Sequence, residues 1–242
     1  MRKVKISIKI VLTSLCLVAI AISAVVAIPI LKPERLSADR LSDDQVSELR
    51  TEYPLYTEYP PYYDMLSPSL NRDLRMAATV LYAKSTGKRI EFTDSVKLDP
   101  ASPEAKLEEK SKNYGIFFSS VERYGYEVEV IQDSSGMFKK GDMIMITRNA
   151  EFEPYTPALK EGMEFISLVW INPVEYQQAK YQFSNTGFYY VTNDGYAVAS
   201  YEEIDYKFTG MKADDLFKQI AQLHERFYGK SQKELYEMTG TW

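Results

Sequence analysis

Side chains that commonly carry catalysis are scarce in this sequence. His224 is the single histidine of the 242 residues, and Cys16 is the single cysteine. A Ser–His–Asp arrangement would depend wholly on His224, whose place at the border of an apolar helical stripe favours a structural role. Residues 85–88 match the SxxK spacing of serine acyl-enzymes. Those enzymes place the motif at the start of a helix, whereas here it falls in a predicted hairpin loop.

Carboxylates are the remaining reactive groups, and two clusters of them follow predicted strands. Glu151 and Glu153 share a loop, whereas Glu202, Glu203 and Asp205 follow the last predicted hairpin. Two carboxyl groups across a cleft perform acid–base chemistry on sugars, so a carboxylate-dependent cell-envelope glycan hydrolase is the enzymatic alternative. With 34 acidic residues, such neighbours also arise as ordinary solvated surface. We predict no catalytic residue, no cofactor and, since zinc would lack its usual ligands, no metal site.

The N-terminus predicts a membrane segment. Residues 1–9 carry four cations and no acid, and residues 10–31 are uncharged. About 20 apolar residues suffice to cross a bilayer as a helix. The positive flank is expected to stay in the cytoplasm, so the C-terminal part would lie outside the cell membrane. We favour an uncleaved single-pass signal anchor over residues 1–31; the alternative is a signal peptide cleaved near Ala27, which would release a secreted protein.

The composition of residues 32–242 excludes cysteine-based sites and argues against nucleic-acid binding. This part has no cysteine, which excludes disulfides, thiolate zinc sites and thiol nucleophiles there. Removing the four N-terminal cations from 29 leaves 25 basic residues against 34 acidic ones, a net charge of about −9. A surface of this sign argues against nucleic-acid binding, which requires cations that neutralise phosphate.

Residues 32–74 are predicted to form a stalk with a tyrosine- and proline-rich extended segment. Ser42 and Gln45 have the spacing of a helix capping box. Further on, four tyrosines recur every third residue: Tyr53, Tyr56, Tyr59 and Tyr62. Neighbouring prolines exclude a regular helix, and polyproline II geometry would stack these rings along one edge. Such a tyrosine ribbon would either cover the protein's own sheet or contact a partner protein or cell-wall glycan.

Strand patterns dominate from residue 75 to the C-terminus. Strands are predicted at 75–83 and 88–93 around a hairpin loop at 84–87, and then at 115–122, 126–133, 142–148, 163–171 and 187–202. Asn193-Asp194-Gly195 predicts the turn of the last hairpin. Pro103 begins a charged surface helix after Ser102, and residues 212–227 form an amphipathic helix. A further short helix is expected within 231–242.

The order of these segments resembles the layout of netrin-like domains, the barrel shared with tissue inhibitors of metalloproteinases. The resemblance is carried by MAATVLYAKSTGK, YGYEVEVIQDSSGMFKKGDMIMIT, PALKEGMEFISLVWI and GFYYVTNDGYAVAS. It covers about residues 76–201, and uncharacterised exported proteins of Gram-positive bacteria have a similar layout. It implies a small antiparallel OB-like barrel within residues 75–242. The inhibitors place an N-terminal cysteine on the target's metal; because residues 32–242 have none, the resemblance implies nothing about protease inhibition.

These observations predict a non-catalytic extracytoplasmic binding module of the mainly β (α+β) class, with a barrel followed by the amphipathic helix. The candidate partner-binding residues are aromatic ones in the ribbon and in the excursion at 172–186, namely Tyr53, Tyr56, Tyr59, Tyr62, Tyr176, Tyr181 and Phe183. The expected partners are the membrane, through the N-terminal helix, and an extracytoplasmic protein or cell-wall glycan. A structural tether that modulates a membrane partner through residues 10–31 is a third hypothesis.

Overall fold

The computed structural model of the chain describes residues 39–57, 70–95, 97–115, 119–172, 178–201 and 208–231, together with Glu234. These residues belong to one unit that starts at Asp39. The predicted anchor, Tyr59, Tyr62, Tyr176 and most of the predicted last helix lie outside the described residues. No helix in the described ranges is long and apolar enough to cross a membrane.

Six strands and four α-helices follow one another along the described chain. Their bounds are α1 Asp43–Leu49, α2 Leu70–Met76, β1 Thr79–Ser95, α3 Pro103–Ser111, β2 Ser120–Asp133, β3 Met143–Asn149, β4 Glu164–Ile171, β5 Tyr181–Val191, β6 Ala197–Ala199 and α4 Ala213–Phe227. The predictions of a helix after Ser102 and of the amphipathic helix at 212–227 are confirmed.

The strands form a closed five-stranded β-barrel. Their order in the sheet is β3-β2-β1-β4-β5-β6, and β3 also pairs with β5. The closing pair is parallel, with Ile146 opposite Tyr181 and Thr147 opposite Gln182. A mainly β, OB-like barrel is therefore confirmed, but a purely antiparallel barrel is wrong. The sheet is mixed because β3 and β5, which close the barrel, run in the same direction.

The predicted hairpin at 84–87 is also wrong, because β1 continues through it from Thr79 to Ser95. The turn-forming residues instead make an irregularity in the strand, where the register against β2 shifts between Ser85 and Arg89. Gly87 lies there with a φ of 80°, a backbone conformation that favours glycine. Such bulges bend and twist a strand, and β1 keeps its pairing with β2 on both sides of this one.

Aromatic rings fill the interior of the barrel. Tyr53 and Phe188 each lie 5.6 Å from Tyr190 between ring centroids, and Phe188 stacks 5.0 Å from Phe165. A second apolar cluster lies on the outer face of β1, β4 and β5, under α2 and α4. There His224 is buried, with Nε2 2.9 Å from the Ala77 carbonyl oxygen. This contact supports the structural role expected for the single histidine.

Residues 39–57 pack against the barrel rather than forming a free stalk. The capping box of Ser42 and Gln45 is present at the start of α1, as predicted. Apolar residues of this segment join the interior cluster, namely Val46, Leu49 and Tyr53. Residues 50–57, here called the strap, then run along the sheet, where the Tyr56 amide donates to the Ser200 carbonyl at 2.8 Å.

Where the described chain begins, it is bound to the segment before α4. The Leu41 amide donates to the Gly210 carbonyl at 3.0 Å, and the Arg40 side chain donates twice to the Thr209 carbonyl. Asp39 and Lys212 form an ion pair at 3.2 Å. These contacts, which we call the clasp, connect residues 39–41 to residues 209–212.

A buried carboxylate fixes residues 178 and 179, which lie just before β5. Asp94, at the end of β1, accepts hydrogen bonds from the amides of Gln178 and Ala179, both at 3.0 Å. Its Oδ2 also lies 3.8 Å from Nε of Arg123, and both side chains are buried. The hydrogen bonds hold residues 178 and 179 against the end of β1, and the charge of Arg123 on β2 stabilises the carboxylate.

We expect Gly87→Ala to destabilise the protein by roughly 2–4 kcal/mol. The φ of 80° strains any Cβ, and an added Cβ would lie 2.7 Å from Cβ of Glu161. Gly136→Ala is the matched control, because Gly136 has a φ of 75° but nothing within 4 Å of its Cβ. Urea unfolding should show the larger loss for Gly87→Ala. If both variants lose the same free energy of unfolding, the close approach to Glu161 does not contribute to the destabilisation.

Asp94→Asn should lower the free energy of unfolding by roughly 3–5 kcal/mol, because the buried Arg123 loses its counter-charge. Glu91→Gln serves as the control, since Glu91 pairs with Arg89 but its side chain is 70% exposed. An exposed pair contributes only about 0–1 kcal/mol. Chemical denaturation of both variants measures the difference, and a loss below about 1 kcal/mol for Asp94→Asn would contradict the assigned role.

Candidate functional site

An open cleft of about 440 Å³ lies at one end of the barrel. The strap, β1, the start of β4 and the turn between β5 and β6 all contribute to its walls. The lining residues are Glu52, Tyr53, Lys84, Lys160, Glu161, Gly162, Met163, Glu164, Val191, Thr192, Asn193 and Gly195. Its volume falls in the range of ligand pockets, about 300–1,000 Å³.

Charged side chains dominate the walls of the cleft. Two are lysines and three are glutamates: Lys84, Lys160, Glu52, Glu161 and Glu164. None of the five belongs to an ion pair within the described ranges. Lys84 lies directly opposite Glu164 in the pairing of β1 with β4, so these two opposite charges are neighbours without a direct contact. The cleft is therefore suited to a polar ligand that carries groups of both signs.

Two phenols add hydrogen-bonding groups to this end of the barrel. The Tyr82 hydroxyl donates to Glu164 Oε2 at 2.6 Å. Burial raises the pKa of Tyr82, and the hydrogen bond and charge of Glu164 raise it further. Burial also raises the pKa of Tyr53, as does the charge of Glu52. Both side chains are consequently neutral phenols at physiological pH, and the single hydroxyl proton of Tyr82 is already donated to Glu164.

The structure separates the predicted partner-binding residues. Tyr53 borders the cleft but is only 4% exposed, and Phe183 is 2% exposed within the barrel interior. Partner contact through these two rings does not fit their burial. Tyr56 and Tyr181 are half-buried: Tyr56 packs 5.9 Å from Tyr201, and Tyr181 packs 5.0 Å from Phe138. In its described part, the ribbon thus covers the protein's own barrel, which was the first of the two alternatives.

The groups considered for catalysis do not assemble in the described part of the chain. Glu151 is exposed, and Glu153 is held in an ion pair with Arg89 at 2.5 Å. Ser85 lies in β1 with its hydroxyl bonded to the Gly87 amide, and Lys88 pairs with Glu127, so the SxxK spacing has no helix to align it. The other predicted carboxylates, at 202, 203 and 205, lie outside the described residues. No group of three metal-ligating side chains occurs in the ranges described.

Sequence reasoning did not identify the cleft, although it located several of its walls. The turn at 193–195 was predicted, and the segment PALKEG before β4 is part of the resemblance to netrin-like domains. Only the closed barrel places these two segments beside Lys84 and Glu52, which are more than 30 positions apart in the sequence. The charged residues are visible in the sequence, but the sequence does not state that these segments share one end of the barrel.

Comparisons with known proteins leave the family open. No family model, no curated protein and no solved structure matches the chain. The site is therefore interpreted from its own geometry.

We expect the free energy of unfolding to fall as the pH rises above about 10, because folding raises the pKa of Tyr82. The unfolded chain then loses a proton that the folded chain retains, which favours unfolding. The contribution of Tyr82 to this fall is at most about 1.4 kcal/mol per pH unit, and Tyr82→Phe should lack it. Urea unfolding at about pH 8 and about pH 11 measures it.

Tyr114→Phe provides the control for that measurement, because Tyr114 is 82% exposed. Its alkaline loss of stability should equal that of the wild type. If Tyr82→Phe also keeps the full alkaline loss, the pKa of Tyr82 is not raised by folding.

Proposed function

We propose that this chain is a non-catalytic binding module that acts outside the cell membrane. Residues 10–31 either anchor it in the membrane or form part of a signal peptide whose cleavage releases it. Its partner, an extracytoplasmic protein or cell-wall glycan, binds at the cleft. The observation that carries the proposal is the cleft itself, a ligand-sized concavity with five charged side chains that form no ion pairs among the described residues.

The chemistry of the cleft supports binding over turnover. Its lysines and glutamates can pair with a partner's charges, and Thr192 and Asn193 can exchange hydrogen bonds with hydroxyl or amide groups. A hydrolase of the Ser–His type would need an imidazole, and the buried His224 is bonded to the Ala77 carbonyl instead. The carboxylate-dependent hydrolase is kept as an outcome of the experiment below, because Glu52, Glu161 and Glu164 share the cleft.

Three further tyrosines extend the proposal beyond the cleft. Tyr59 and Tyr62 continue the ribbon after the strap, and Tyr176 lies in the predicted excursion. Tyrosine suits interfaces that are partly apolar and partly wet, since the ring contributes area and the hydroxyl a hydrogen bond. We assign these three residues to the partner contact, alongside the cleft.

The double variant Lys84→Gln/Lys160→Gln should lose at least about tenfold in partner affinity, because charge pairs at a concave site contribute strongly to affinity. The measurement is capture of cell-envelope protein and of purified wall glycan on the immobilised full chain, with bound material quantified. Release of soluble fragments from the glycan is recorded in parallel. Fragment release that stops in Glu164→Gln would establish the hydrolase instead.

Lys139→Gln/Lys140→Gln is the matched control, since it removes the same charge from exposed positions between β2 and β3. We expect it to capture as much as the wild type. Equal capture by both double variants would remove the cleft from the proposal. Tyr59→Ser/Tyr62→Ser tests the ribbon separately, and unchanged capture there would confine the contact to the barrel.

A further inference from the structure

The cleft contains a pair of opposite charges that face each other across two strands. Lys84 of β1 lies directly opposite Glu164 of β4, and both residues line the cleft. Directly opposite side chains of an antiparallel pair have Cβ atoms about 4.5–5.5 Å apart, so their charged ends can reach the same small molecule. No ion pair joins the two within the described ranges.

The carboxylate of this pair is oriented by a phenol. Tyr82 is buried and donates its hydroxyl proton to Oε2 of Glu164 at 2.6 Å. An ionised carboxylate offers about four lone-pair positions, so this bond leaves acceptor capacity for a ligand. Held in this way, Glu164 is positioned to accept charge-assisted hydrogen bonds from a cationic donor.

Another wall of the cleft is fixed in a similar way. Tyr53 is buried, and its hydroxyl is hydrogen-bonded to the Glu52 side chain and to the backbone of Asn193. Both of these partners line the cleft. The phenol therefore connects the strap to the turn between β5 and β6, and this wall keeps its position without a ligand.

The remaining charges of the cleft are also of both signs. Lys160 and Glu161 are adjacent and exposed in the segment before β4. The cleft thus carries three carboxylates and two ammonium groups. A simple anion would meet the three carboxylates, and a simple cation would meet the two lysines. A ligand that bears both charges can instead pair with groups of both signs.

We propose that the cleft binds an α-amino-acid head group, in which an ammonium and a carboxylate share one carbon atom. Glu164 binds the ammonium, and Lys84 binds the carboxylate. The volume of about 440 Å³ exceeds that of the head group, so a side chain or the rest of a polymer can extend towards Lys160 and Glu161. This inference rests on the proposed role of the cleft as a binding site, and it names the ligand chemistry that the cleft recognises.

The test compares three probes that share one side chain and differ in charge. Alanine carries both charged groups, N-acetylalanine only the carboxylate and alaninamide only the ammonium. Each is titrated into the isotope-labelled full chain in a neutral detergent at about pH 6.5, where the amine is protonated. The amide chemical shifts of Asn193 and Gly195, which line the cleft, report binding.

We expect alanine to bind with a Kd on the order of 1 mM. Each singly charged probe should bind at least about tenfold more weakly, because one hydrogen bond between charged groups is lost.

Two single variants assign the two contacts. Glu164→Gln should remove the preference for alanine over N-acetylalanine, and Lys84→Gln should remove the preference for alanine over alaninamide. Lys88→Gln and Glu127→Gln are the matched controls, because these residues pair with each other at 2.8 Å outside the cleft and should keep both preferences. Lys84 is exposed, so its variant tests the proposal even if Glu164→Gln does not fold.

Alanine added to the capture experiment identifies the source of the head group. If alanine prevents capture of envelope material, the head group is carried by a polymer or protein of the envelope. If capture is unchanged while alanine still shifts the cleft amides, the free amino acid is the ligand.

Three results would overturn the proposal. The first is that alanine leaves the cleft amides unchanged. The second is that a singly charged probe binds as tightly as alanine, which would assign the cleft to simple cations or anions. The third is a preference that persists in the variant expected to lack it.

The same experiments separate this inference from the proposed function. If alanine does not bind but Lys84→Gln/Lys160→Gln still loses capture, the cleft remains the partner site and the head-group proposal is wrong. If the wild type binds alanine but this double variant captures as much as the wild type, the head-group proposal stands and the partner does not bind at the cleft.

Discussion

The short parallel contact between β3 and β5 closes the barrel, and the interior depends on that closure. Only two residue pairs form it, and the Thr147 hydroxyl reinforces it by donating to the Tyr181 carbonyl at 2.9 Å. Every other strand pairing is antiparallel. Without this contact two strand edges would be open, and Arg148 of β3 would be separated from the β5 rings on which it lies.

Local patterns predicted most of the elements but not their assembly. The alternation at 126–133 and the apolar run at 163–171 lie within real strands, and the stripe at 212–227 is a real helix, because each pattern reflects one buried face. The hairpin predicted at 84–87 was wrong, because glycine and small polar residues occur in β-bulges as well as in hairpin turns. The strand continues past these residues because β2 pairs with β1 on both sides of them, up to Ser85 and again from Arg89, and β2 lies far along the chain.

The cleft was beyond sequence reasoning because it needs distant turns to meet at one end of the barrel, which is a property of topology. Tyr53 borders the cleft and also packs against Tyr190. Its ring separates the solvent in the cleft from the aromatic interior.

The clasp has a mechanical consequence. Chain tension arriving at Asp39 would first load the Asp39–Lys212 ion pair and the hydrogen bonds of Arg40 and Leu41 to residues 209–210. Those bonds join residues 39–41 to the segment that leads into α4, so part of the load passes into that helix before it reaches α1 and the strap. Unfolding under tension would therefore begin at the clasp, and the aromatic interior of the barrel would unfold last.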